Sequence, residues 1–187
     1  WTLIPTHAGE YRIDQVDGSH VLRLNEIGYH GAKLCTGFPG WTNYTLSCDF
    51  KFLRRDHGAS LQLAVYEIGI TRYVLSLQDQ SAVIINHRVN NDDAPASPRV
   101  TLPGNIESGQ WWRAEVRVEN LEAHCTRLSA TVWPRDAERP VRPQIVWIDD
   151  AGTGGTPLQR GPVAMRVTEA EVAFDNITVT PNDIARP

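Results

Sequence analysis

The chain has 187 residues, 41% apolar and 21% charged, with a formal net charge of −4 and a pI of about 5.8. That length and composition suit one domain with a buried core. The acidic balance argues against the basic face that nucleic acid requires, and no apolar run approaches the ~20 residues that cross a bilayer. The chain opens at Trp1 rather than methionine, which reads as a processed or trimmed product and is compatible with loss of a signal peptide.

Taken in chain order, the segments alternate with a period of two. "YTLSCDFKF" sets Leu46, Cys48, Phe50 and Phe52 against Thr45, Ser47, Asp49 and Lys51. "SLQLAVYEI" sets Leu61, Leu63 and Val65 against Gln62, Ala64 and Tyr66, and "TRYVLSLQ" sets Tyr73, Leu75 and Leu77 against Arg72, Ser76 and Gln78. "WWRAEVRVEN" puts Trp112, Ala114, Val116 and Val118 opposite Trp111, Arg113, Glu115, Arg117 and Glu119, and "RLSATVWP" continues with Leu128, Ala130 and Val132. Period two marks half-buried strands. Turn residues separate the runs at 37–40, 54–58, 90–98, 103–109 and 149–157, and no segment sustains a helical period. Short, evenly spaced strands with glycine and proline punctuation predict an all-β, two-sheet antiparallel sandwich or a barrel, in one domain over 1–187. One hairpin can be registered: pairing Ala114 with Val132 and Val116 with Ala130 keeps the apolar faces together, and sets Arg113 beside Trp133.

Candidate functional residues follow from these faces. Trp111, Arg113 and Trp133 share an outward face, where flat aromatics beside a guanidinium would suit a sugar ring; an Arg stacked on Trp at a solvated sheet face is the plainer alternative. Gln62, Tyr66, Arg72 and Gln78, outward on neighbouring strands, extend that patch or are merely solvated. His57, in a turn, and Glu67, at a strand end, form a weak candidate acid/base pair. His87 reads as a core histidine, while Asn91–Asp93 and Asp149-Asp150 read as turn carboxylates. Of the cysteines Cys35, Cys48 and Cys125, at most one pair can join, and Cys48 reads as a small core residue. No P-loop, dinucleotide fingerprint, HExxH, GxSxG or Cys/His constellation occurs, so nucleotide, flavin and zinc chemistry have no support.

The order of "NYTLSCDFKF", "ASLQLAVYEI…RYVLSLQ", "SGQWWRAEVRVEN", "LSATVWP", "PQIVW" and "GPVAMRV…VAFDNITV" resembles the concanavalin A-like (laminin-G-like) jelly rolls of bacterial carbohydrate-active proteins, over roughly residues 15–181. It is most similar to the branch of carbohydrate-binding modules and 3-keto-disaccharide hydrolases. An "NSGIFFR"-like segment of the hydrolases is missing, and so is a Glu-x-Asp-x-x-Glu glucanase strand; Glu115 and Glu119 stand four apart. The resemblance therefore implies a jelly roll that binds a glycan or small saccharide. A glycoside hydrolase or lyase, or a structural or adhesion module, are the alternatives on that scaffold. It also implies an extracellular or periplasmic setting, in some cases within a larger multidomain protein. It further implies that the "FDNI" strand pairs near the N-terminal strand at the domain's closing edge, where Asp175 is a candidate calcium ligand with Asp14, Glu26 or Asp49. The residues alone give Asp175-Asn176 a second reading, a β-bulge bonded to nearby backbone. Arginine makes up 16 of 18 basic residues; that suits a GC-rich bacterial genome, so the sequons at Asn43 and Asn176 are read as chance.

Overall fold

A computed structural model describes residues 9–26, 32–69, 71–86, 97–122, 124–150 and 156–182. His87 and Asn91–Asp93 fall outside them. Eleven strands follow one another: β1 (Gly9–Val16), β2 (Ser19–Glu26), β3 (Ala32–Thr36), β4 (Tyr44–Ile68), β5 (Thr71–Gln78), β6 (Ser81–Asn86), β7 (Val100–Thr101), β8 (Trp111–Glu122), β9 (Cys125–Pro134), β10 (Ile145–Asp150) and β11 (Val163–Pro181). Among the described residues there is no helix, and every strand pair is antiparallel.

Two long strands build the sandwich. β4 and β11 run antiparallel along almost their whole lengths, from Ala164 beside Ala64 to Pro181 beside Tyr44. The first half of β4 continues through β8 to β9 and β10, and its second half through β5 to β6 and β7. β3 lines the start of β11, while β2, and β1 beyond it, line its middle. Register slips near Thr168/Ala170 and Glu171/Val172 bend the ribbon between the halves. Across that bend the inward set of β4 switches from Leu46, Cys48, Phe50 and Phe52 to Leu61, Leu63 and Val65. Both inward sets meet in one core with Trp112, Val116, Leu128, Leu75, Ile84, Met165 and Phe174. This is a jelly-roll sandwich whose two layers share their central strands. The "FDNI" strand does pair with β2, yet it is central rather than an edge, because Phe174 lies between Leu22 and Phe50.

The β8–β9 register is the expected one: Ala114 faces Val132, Val116 faces Ala130 and Arg113 faces Trp133. Tyr66 departs from expectation. It has φ +50°, lies in a register slip between Val65 and Ile68, and is fully buried rather than outward. Its hydroxyl donates to Asn120 Oδ1 (3.0 Å) and accepts from Asn43 N (2.9 Å), and its N–H donates to Tyr44 Oη (2.9 Å). A left-handed residue costs free energy, and these bonds offset it. The cysteines are three free thiols, and Cys48 is buried in the core.

Candidate functional site

The layer containing β8 and β9 turns one face to the core. Its other face carries Lys51, Trp111, Asp49, Arg113, Glu115, Arg117 and Trp133, as the alternation predicts. The expected aromatic platform is nevertheless closed. Trp111 is 7% exposed and Trp133 5%. Trp111 Nε1 donates to Asp17 Oδ2 (2.7 Å), and Lys51 and Arg135 lie over its ring at 5.7 and 4.9 Å. Arg139 lies over Trp133 at 5.8 Å and donates to Glu115 Oε2 (2.6 Å). Arg113 is held by Asp49 through Nε (2.5 Å) and Nη2 (2.9 Å). The segment after β9 supplies Arg135 and Arg139, so strand alternation placed the face correctly and could not show its cover.

His57 and Glu67 do not converge. They lie ten residues apart on β4, roughly 30 Å along an extended chain. His57 lines an open cavity of about 440 Å³ with Arg55, Asp56, Gln78, Asp79 and Glu107. Glu67 is buried at the other end, where Lys33 Nζ bonds its Oε1 and Arg72 Nε stands 3.8 Å from its Oε2. That Oε2 accepts no hydrogen bond among the described residues.

Asp175 sits in a bulge, with a register slip between Asp175 and Thr178 and φ +50° at Asn176. Its oxygens accept from Ser19 Oγ (2.8 Å) and Asn176 N (2.8 Å). The other carboxylates considered for calcium have their own partners. Asp14 takes Arg23 and Gln15 N, Glu26 takes Glu169 N, and Asp49 takes Arg113 and Asn176 Nδ2 (2.8 Å). Each of these carboxylates thus has a partner within the protein. No group of three or more metal-binding side chains occurs among the described residues. Asp149 is not a turn carboxylate: it is buried and accepts from Tyr73 Oη (2.5 Å).

The second layer brings together two expected residues and several unexpected ones. Away from the core, Lys33, Arg166, Gln62, Ser76 and Val83 form one cross-strand row over β3, β11, β4, β5 and β6. The next row is Cys35, Ala164, Ala64, Val74 and Ile85. These apolar and small residues form a cluster separate from the main core. Lys33, Gln62, Ser76 and Arg166 are half-buried. Arg72 follows Val74 on the same face and brings Glu67 with it. A half-buried polar row thus runs beside a row of buried apolar side chains, with a charged cluster at one end. Lys33 and Arg166 were missed because "AKLCT" and "VAMRV" alternate too briefly to assign a face before their partners are known.

No protein-family model matches the chain, and no curated protein matches it. Solved structures do. A galectin-like protein of unknown function from Bacillus subtilis superposes with a TM-score of 0.67 at 13% identity, covering 92% of this chain and 86% of that one. A carbohydrate binding module, CBM66, from Bacillus subtilis gives 0.64 at 12% identity, covering 92% and 91%. An endo-β-1,4-glucuronan lyase from the fungus Trichoderma reesei gives 0.59 at 8% identity, covering 97% and 90%. The fold is that of the concanavalin A-like jelly rolls.

Proposed function

We propose that this chain binds a saccharide on the outer face of β3, β11, β4, β5 and β6. The observation that carries this is the half-buried polar cross-strand row of Lys33, Arg166, Gln62 and Ser76, set beside the buried row of Ala164, Ala64 and Val74 that holds the strands together. A saccharide offers hydroxyls that pair with a guanidinium, an ammonium, an amide and a hydroxyl, which the half-buried row presents side by side. Structural neighbours that include a carbohydrate binding module and a polysaccharide lyase support the reading. It would place the chain where polysaccharide is met, outside the cytoplasm or in the periplasm, as a free domain or as part of a larger protein.

Titration calorimetry against glucuronan, alginate and xylan oligosaccharides tests this. Gln62→Ala and Arg166→Ala should each weaken binding about tenfold, while Arg139→Ala, on the opposite layer, should leave it unchanged. Equal loss with Arg139→Ala would move the site to the β8–β9 face. A lyase or hydrolase on the same face is the second reading, favoured by Glu67, whose buried Oε2 accepts no hydrogen bond among the described residues. Release of shorter oligosaccharides that stops with Glu67→Gln would establish it.

A further inference from the structure

The turn between β3 and β4, "GFPGW", holds two aromatic rings in the open: Phe38 is 66% exposed and Trp41 37%. Both rings rest on glycines. A Cβ on Gly37, whose φ is +110°, would come within 2.3 Å of Trp41 Cζ3, and one on Gly40 within 2.7 Å of Phe38 Cε1. Trp41 N donates to Phe38 O (3.0 Å), and the Trp41 ring meets Tyr44 edge-on at 6.2 Å. The turn therefore fixes both rings without burying them. Fixing an exposed ring adds little to folding, but it lowers the ordering cost of whatever docks there.

The position of the turn indicates the occupant. Gly161 N donates to Trp41 O (3.0 Å), and Glu67 N donates to Pro162 O (3.0 Å). Through Gly161 and Pro162 the turn is thus tied to the backbone of Glu67, the end of the proposed saccharide face where Glu67 meets Lys33 and Arg72. Flat exposed rings match a sugar ring, which offers C–H faces for stacking.

We infer that Phe38 and Trp41 form an aromatic subsite for one pyranose ring of the saccharide bound along the β3–β6 face. This rests on the saccharide reading of that face. Affinity electrophoresis through gels containing glucuronan, alginate or xylan tests it. On the polymer that retards the native chain, Phe38→Ala and Trp41→Ala should each weaken retention about tenfold. Gly40→Ala, which displaces the Phe38 ring, should weaken it as well. Ile13→Ala removes an equally exposed side chain from β1 and should change nothing. Phe38 has so little burial that its variant should melt like the native chain, which separates lost binding from lost folding. If Phe38→Ala and Trp41→Ala are retained like the native chain while Arg166→Ala is not, the subsite is overturned and the face survives. If none of the three polymers retards the native chain, both fall.

Discussion

Asp49 has none of its surface exposed, and its charge is met by Arg113 and Asn176. A carboxylate so placed is costly unless paired. Arg113, expected from the sequence to meet a ligand, thus neutralises a buried neighbour. Arg113→Ala should lower stability by roughly 2–3 kcal/mol, less than a fully buried pair because the Arg113 side chain is about a third exposed. Trp133→Ala should cost about 3 kcal/mol as a buried aromatic truncation. Urea unfolding of both variants checks this; a loss under 0.5 kcal/mol, as for an exposed site, would reopen the β8–β9 face as a ligand surface. Asp175 offers a related test, because its bulge is complete with Ser19 and Asn176. The melting temperature should be the same in chelator and in millimolar calcium, and Ser19→Ala should lower it. A rise with calcium that Asp175→Asn abolishes would place the ion at Asp175.

At the scale of elements, period-two alternation was enough to register β8 on β9 to the residue, because a one-residue slip there would expose every apolar side chain. It failed where the backbone leaves the pleat. Tyr66 turns inward at a bulge, since alternation counts residues and cannot foresee one whose backbone is left-handed. Phe38 and Trp41 lie in a turn, where no period applies, although the glycines bracketing them are a readable signal. Trp111 and Trp133 lie on the expected face, but arginines from a loop with no periodicity cover them. Local geometry outside the strands can also govern the strands. Gly161, at φ +150°, passes so close to β4 that a Cβ there would lie 2.7 Å from the Tyr66 carbonyl carbon and 2.8 Å from its Cα. Neither backbone can give way without breaking the bond from Glu67 N to Pro162 O. Gly161→Ala should therefore destabilise by more than about 1 kcal/mol, whereas Gly109→Ala, where nothing lies near the added Cβ, should pay only the strain of its positive φ. Equal melting temperatures would show that the 156–162 segment shifts freely.

The whole molecule should lose stability at both ends of the pH scale, for different physical reasons. On the acid side three carboxylates lie below their ordinary range: Asp14 through Gln15 N and then Arg23, Asp17 through Lys51 and then Trp111, and Glu119 through Arg117 and then Arg127. A lowered folded-state pKa means that the unfolded chain binds more protons in this window. The stabilisation is thus present above about pH 4.5 and is lost as pH falls through the folded values. On the alkaline side burial pushes Cys48 and Tyr66 up to about 12 and raises Tyr44 further. A raised pKa reverses the sign: stability is complete below the ordinary thiol and phenol values, about 8.5–10, and declines as pH rises beyond them. Salt separates the two limbs. The acid limb rests largely on ion pairs near the surface, which 1 M salt screens with a Debye length of about 3 Å. The alkaline limb rests on desolvation in the core, which salt does not reach. Melting temperatures measured from pH 3 to 11 should hold a plateau between about pH 5 and 8 and fall on either side, and added salt should flatten the acid fall alone. Equal flattening of both limbs would mean that the tyrosine hydroxyls around Tyr44 and Tyr66 are open to solvent, contrary to the sealed end of the sandwich they form here.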